Sequence, residues 1–107
     1  MTDRAGMITT DGDAAGTWLA VRIEGELDTA THERARTQLR AVASSLRRGC
    51  AVSVDLAGLT FADVGAVDVL RDFVDRCRGA GCTPRIEHAP RLVLVITELL
   101  GIDLPFA

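Results

Sequence analysis

Cys50-Ala51-Val52-Ser53-Val54-Asp55-Leu56, followed by Ala57-Gly58-Leu59-Thr60-Phe61-Ala62 and then by Asp63-Val64-Gly65-Ala66, is the stretch that decides the fold. Ala51, Val52, Val54 and Leu56 make a nearly continuous apolar run, the pattern of a central strand buried on both faces. Ala57 to Ala62 reads as a connection. Asp63 then stands where a helix N-cap is needed, because its carboxylate can accept the backbone N–H groups of the first turn. Val67, Leu70, Val74 and Cys77 follow at steps of three, four and three, with Asp68, Arg71, Asp72, Asp75 and Arg76 between them. That spacing predicts an amphipathic helix over Val64 to Arg78 with one buried stripe, stopped by Gly79-Ala80-Gly81.

The same reading extends both ways. Upstream, Met7 to Thr10 predicts a short strand, Asp11 to Gly16 a turn, and Trp18 to Glu24 a half-buried strand. In that second strand Leu19, Val21 and Ile23 share one side and Trp18, Ala20 and Arg22 the other. Gly25-Glu26-Leu27-Asp28 is expected to break it. A helix is expected over Thr31 to Arg47, with Thr31 as N-cap, Glu33 in the first turn, and Ala35, Leu39, Val42, Ala43 and Leu46 as its apolar stripe. Arg34, Arg36, Gln38 and Arg40 cover much of its other face. Downstream, Thr83 to Glu87 predicts a strand. Pro90 to Leu100 reads as a helix closed by Gly101, although the run Leu92 to Ile96 also fits a strand. Residues 1 to 6 are polar and expected to fray. Alternating strands and helices with short connections imply an α/β fold built on a mostly parallel sheet.

Composition narrows the function classes. A chain of 107 residues supports one domain, and 48% hydrophobic with 25% charged residues excludes a disordered chain. The net charge is −3 and all 12 basic residues are arginines interleaved with acids, so no nucleic-acid face is expected. The longest apolar run is far short of the roughly 20 residues that cross a bilayer. No apolar segment follows Met1-Thr2-Asp3-Arg4, so no secretory signal is expected and the cytoplasm is the default compartment. Cys50, Cys77 and Cys82 form no Cys-x-x-Cys pair, and His32 and His88 are far apart in sequence, so neither a disulfide framework nor a metal site is expected. Cys77 reads as a core residue and Cys82, in a glycine-rich loop, as exposed. A Cys77–Cys82 redox pair is a weaker alternative.

Catalysis finds little support. Glu24, Glu26, Asp28 and Asp63 are carboxylates at turns, and general acid–base work would need a positioned histidine or a pocket, neither of which the sequence displays. No cysteine–histidine pairing and no glycine-rich phosphate loop ahead of a helix are visible. The bland reading of Asp28 and Asp63 is a turn brace and an N-cap. The sharper one is that the two meet at one end of the sheet as an acidic recognition rim. By subtraction, the chain reads as an interaction module without cofactor or metal, and not as an enzyme.

Three segments, in order, carry a resemblance. They are Gly25-Glu26-Leu27-Asp28 after a strand and ahead of a helix, Val52 to Asp63, and Ala89-Pro90 through Gly101-Ile102-Asp103. Together they resemble the STAS domain family, which includes bacterial anti-sigma-factor antagonists, over about Met7 to Phe106. The resemblance implies a four- to five-stranded mixed sheet with helices mainly on one face. It implies binding to an anti-sigma factor, typically a GHKL-type serine kinase, in a partner-switching pathway. A second implied role is an accessory subunit docked on the ATPase of a membrane lipid transporter. The family motif Asp-Ser-Ser/Ala-Gly falls on Asp63, Val64, Gly65 and Ala66, so the phosphoacceptor serine is replaced by Val64. Thr60 is the nearest hydroxyl, with a loop-packing role as its plainer reading, and Ser53 is a poorer candidate. The implied partner-binding residues are Asp28, Asp63, Val64, Gly65 and Ala66. On the third helix, Leu94 and Val95 stand where the family usually carries polar residues. The five residues Leu92 to Ile96 span about 500° of helix turn and cannot all face one core. Either the tail Ile102 to Phe106 covers the remainder, or an apolar patch is left for a homodimer or another partner.

Overall fold

The computed structural model describes residues 7–107. The expectation of a frayed segment over residues 1–6 lies outside the described residues. The order is β1 (Met7–Gly12), β2 (Trp18–Leu27), α1 (His32–Ser44), β3 (Ala51–Asp55), β4 (Leu59–Ala62), α2 (Val64–Gly79), β5 (Thr83–Glu87) and α3 (Arg91–Leu100). The five strands form a mixed sheet in the order β1-β2-β3-β5, with β4 also paired to β2. Only the β1–β2 hairpin is antiparallel. β2 with β3, β3 with β5, and β2 with β4 are parallel.

The long strand β2 organises the sheet. Its first half, Trp18 to Arg22, pairs with β3, and its second half, Gly25 to Leu27, pairs with β4. The expected break at Gly25 is therefore a register shift between Gly25 and Glu26 within a continuing strand. Gly25 absorbs it at φ +90°, a left-handed conformation that a side chain would strain. The expected connection Ala57 to Ala62 contains β4, a four-residue strand too short to show a period of its own. β1 likewise runs on to Gly12, through residues expected to turn.

One face of the sheet is sealed and the other is open. On β3, Val52 and Val54 are buried, while Ala51 is exposed and Ser53 and Asp55 are half-buried, so the strand is covered on one face and not on two as expected. Val21, Ile23 and Leu27 of β2, Ile86 of β5, and the stripe Val67, Leu70, Val74 and Cys77 of α2 meet the buried side of β3 in one core cluster. Each fully buried aliphatic side chain of this kind contributes about 1.5–3 kcal/mol.

α1 closes at Ser44, three residues before the expected end, and Thr31 precedes it without a side-chain capping bond. The Thr31 hydroxyl is committed elsewhere. It is buried, accepts the Asp28 N–H at 2.9 Å and donates to the Glu26 carbonyl at 3.0 Å. α3 is a helix, opened by Pro90 and closed by a left-handed Gly101, which settles the ambiguity over Leu92 to Ile96. Val93 and Ile96 face the core, while Leu94 and Val95 remain 42% and 38% exposed. The tail does not cover them as expected, because it pairs with β5: Ile86 donates to the Pro105 carbonyl at 2.8 Å and bridges Phe106 in parallel. Cys82 is buried and its thiol donates to the Arg47 carbonyl at 3.1 Å, contrary to the expected exposure.

Candidate docking site at the C-terminal end of the sheet

The parallel register Leu27↔Ala62 fixes the site. The residues that follow, Asp28 and Asp63, emerge from neighbouring strands at the same end of the sheet. Asp28 shapes the turn into α1. Its carboxylate accepts the Ala30 N–H at 3.0 Å, and its carbonyl accepts the N–H groups of Thr31 and His32 at 2.9 and 3.0 Å. Asp63 is the N-cap of α2, with extended backbone angles and its Oδ1 accepting the Ala66 N–H at 3.0 Å.

The same Oδ1 lies 2.7 Å from Nε2 of His32, the first residue of α1. A positioned histidine, absent from the sequence reading, is thus present. Burial pushes the Asp63 carboxyl up, but the His32 hydrogen bond and the Ala66 N–H outweigh it and hold the group below the ordinary carboxylate range. Gly65, on the first turn of α2, backs the imidazole: a Cβ there would stand 2.1 Å from His32 Cε1. His32 is the first rung of a ladder along the parallel helices α1 and α2. Arg36 meets Asp68 at 3.3 Å and Arg40 meets Asp72 at 3.4 Å, one helix turn apart each time.

The other expected site residues divide clearly. Val64 is 58% exposed, Gly65 is half-buried and Ala66 is fully buried. Thr60 is exposed, and its hydroxyl donates to the Gly25 carbonyl at 3.0 Å, which ties β4 to β2. Three residues before Val64, Phe61 is 47% exposed. It lines a small cleft of about 70 Å³ with Leu92 of α3, itself 46% exposed, and Pro90. The assembled surface therefore presents apolar side chains around two carboxylates. His32 and Asp63 form a dyad bonded onward to the Ala66 amide. Among the described residues, no cluster of three or more histidine, cysteine or carboxylate side chains suits a metal ion. No helix among them is long and apolar enough to cross a membrane.

A family profile described as "Mlab, STAS domain" matches residues 11–104. The chain belongs to the STAS domain family. A search of curated proteins returned no match. Among solved structures, the STAS domain of an anti-sigma-factor antagonist from Rhodobacter sphaeroides is 24% identical, with a TM-score of 0.63 over 79% of this chain and 88% of that one. An anti-sigma-factor antagonist from Mycobacterium paratuberculosis is 17% identical, with a TM-score of 0.74 over 98% and 87% of the two chains. The antagonist SpoIIAA in its unphosphorylated form is 13% identical, with a TM-score of 0.72 over 94% and 86%. At these identities the likeness establishes the STAS fold.

His32 is the residue of the candidate site that the sequence pattern does not disclose. Its contact with Asp63 spans 31 positions, and no local pattern encodes a partner at that range. One signal was available: a glycine inside the first turn of a helix is unfavourable by about 0.5–1 kcal/mol relative to alanine, and so marks a close approach.

Proposed function

We propose that this STAS domain is a protein-binding regulatory module that docks an anti-sigma factor, of the GHKL kinase type, through Asp28, Asp63, Val64 and Gly65; Ala66, expected among them, is buried in the core and supports the face from beneath. The observation that carries the reading is the exposure of Val64 directly after Asp63 at the sheet end, three residues beyond exposed Phe61. An aliphatic side chain held out in water at a helix N-terminus contributes nothing to the core and suits an apolar contact. Phosphorylation at this position would add about −1.5 to −2 charge and repel an acidic partner surface. Val64 has no hydroxyl to carry it, so docking here runs without that switch. The module acts in the cytoplasm as a regulator, with no catalytic step of its own.

The missing hydroxyl also favours a second reading, an accessory subunit docked on the ATPase of a membrane lipid transporter, where attachment needs no phosphate cycle. Leu94 and Val95 offer an apolar surface through which two copies of the chain pair, and light scattering on Leu94→Glu against the native chain tests that. For the main reading, purified anti-sigma kinases are presented to the chain with ATP. The native chain binds one of them and gains no phosphate in its intact mass, and Asp63→Arg weakens binding. Equal binding by Asp63→Arg removes the proposed face, and a gain of one phosphate removes its unswitched character.

A further inference from the structure

We infer that His32 is the positioning residue of the docking face and that Gly65 is the recess it requires, so that the face keeps its shape only while the imidazole is seated. The inference rests on the docking reading for its consequence in binding, and on the chain alone for the lock itself.

Three contacts converge. His32 Nε2 and the Ala66 N–H share one acceptor, Asp63 Oδ1, at 2.7 and 3.0 Å. The ring therefore bonds the same oxygen that caps α2. Next, the ring occupies the space where a side chain at position 65 would begin. An alanine methyl would lie 2.1 Å from Cε1, 2.7 Å from Nδ1 and 2.8 Å from Nε2. No rearrangement of a few tenths of an ångström relieves such overlap, so a side chain at 65 and a seated His32 exclude one another. Finally, the bond joins α1 to α2 at the rung nearest the face. The rungs below it, Arg36–Asp68 and Arg40–Asp72, carry the more exposed partners, Asp68 and Arg40, and act on the helix bodies. Surface pairs of that kind contribute little to stability. The first rung alone controls where Asp63 and Val64 point, since both lie at the α2 terminus that the ring holds.

A charge-independent consequence separates this from ordinary packing. Gly65→Ala inserts a better helix former, so without the ring it should be neutral or favourable. With the ring present, it must evict His32.

The test is a double-mutant cycle on the full chain, read by urea unfolding. Gly65→Ala in the native background lowers the folding equilibrium constant by about tenfold or more, as expected for side chains in direct contact. In the His32→Ala background the same change alters it by less than about threefold. Additive effects in the two backgrounds overturn the lock. His32→Gln, which can still offer an N–H to Asp63, restores slow exchange of the Ala66 amide relative to His32→Ala. Equally fast exchange in both variants counts against the positioning role. Binding to the anti-sigma kinase found for the native chain falls for Gly65→Ala while Asp28, Asp63 and Val64 are unchanged, and undiminished binding by that variant also overturns the inference. Should the native chain bind no anti-sigma kinase, the docking reading falls, and the cycle still decides the lock.

Discussion

The two ends of the sheet contrast sharply. At the end where β3 and β5 begin, Cys50, Cys77 and Cys82 are all buried, the Cys82 thiol is bonded to the Arg47 carbonyl, and the stem of Arg48 lies against Gly81. Burial pushes the Cys77 thiol up to about 12 and raises Cys50 as well, so these sulfurs are small hydrophobes and not nucleophiles. At the opposite end, Val64, Phe61 and Leu92 are left in water around a histidine–aspartate pair. Trp18 is also exposed at the cysteine end, where it borders a cleft of about 230 Å³ with Leu46 and Cys50, so the contrast lies between buried, bonded sulfurs at one end and exposed apolar side chains near a polar pair at the other. The difference teaches where substitutions should act on folding and where on binding.

The largest effect is expected at the cysteine end. Cys77→Asp buries a carboxylate without a partner and should lower unfolding free energy by about 3 kcal/mol or more, measured by urea denaturation. A loss as small as that of a surface substitution would break the contrast. Gly65→Ala, at the join between folding and the candidate docking face, should cost about 1.4–3 kcal/mol through overpacking against His32. Asp63→Ala removes a helix cap and should cost about 1 kcal/mol.

The Asp63 carboxyl also predicts a pH dependence. Its folded pKa lies below the ordinary value of 3.8, so the unfolded chain takes up the proton first as pH falls. The stabilisation is fully present above about pH 5 and is lost as pH drops through the folded pKa. The stability difference between the native chain and Asp63→Asn should therefore be flat near neutrality and shrink below the ordinary carboxylate range. A difference that grows on acidification reverses the assigned sign. Smallest of all is Val64→Asp, which should change stability by no more than about 0.5 kcal/mol while abolishing docking. A large loss of stability there would make Val64 a structural residue.

Periodicity exposed most of the fold. The stripe Val67, Leu70, Val74 and Cys77 and the cap Asp63 gave α2 within one residue at its C-terminus. Pro90 and Gly101 correctly decided for a helix across an apolar run that also fitted a strand. Two misreadings share a cause. β4 and the second half of β2 look like a connection and a break in the sequence because Gly25, Gly58 and the acids Glu24 and Glu26 resemble turn chemistry. Parallel pairing with a strand 34 or 35 residues away overrode that local signal, as the pairs Gly25↔Leu59 and Glu26↔Phe61 record. The sheet's open face was also hidden, since Ala51 and Ser53 are too small to mark a solvated side. At the site, the two aspartates are legible from turn and cap positions, while Val64 stands out only through the resemblance to the STAS motif. His32 is not legible, because its role exists only once α1 and α2 lie side by side.

The central claim is that the surface at the α2 N-terminus docks a partner and cannot be switched by phosphate because Val64 stands at the acceptor position. Intact-mass and binding measurements with the purified anti-sigma kinase and ATP test it most directly when the native chain and Val64→Ser are compared. The native chain is expected to bind and stay unmodified, while Val64→Ser gains one phosphate and then releases the kinase. A phosphate on the native chain, or undiminished binding by the phosphorylated variant, would contradict it.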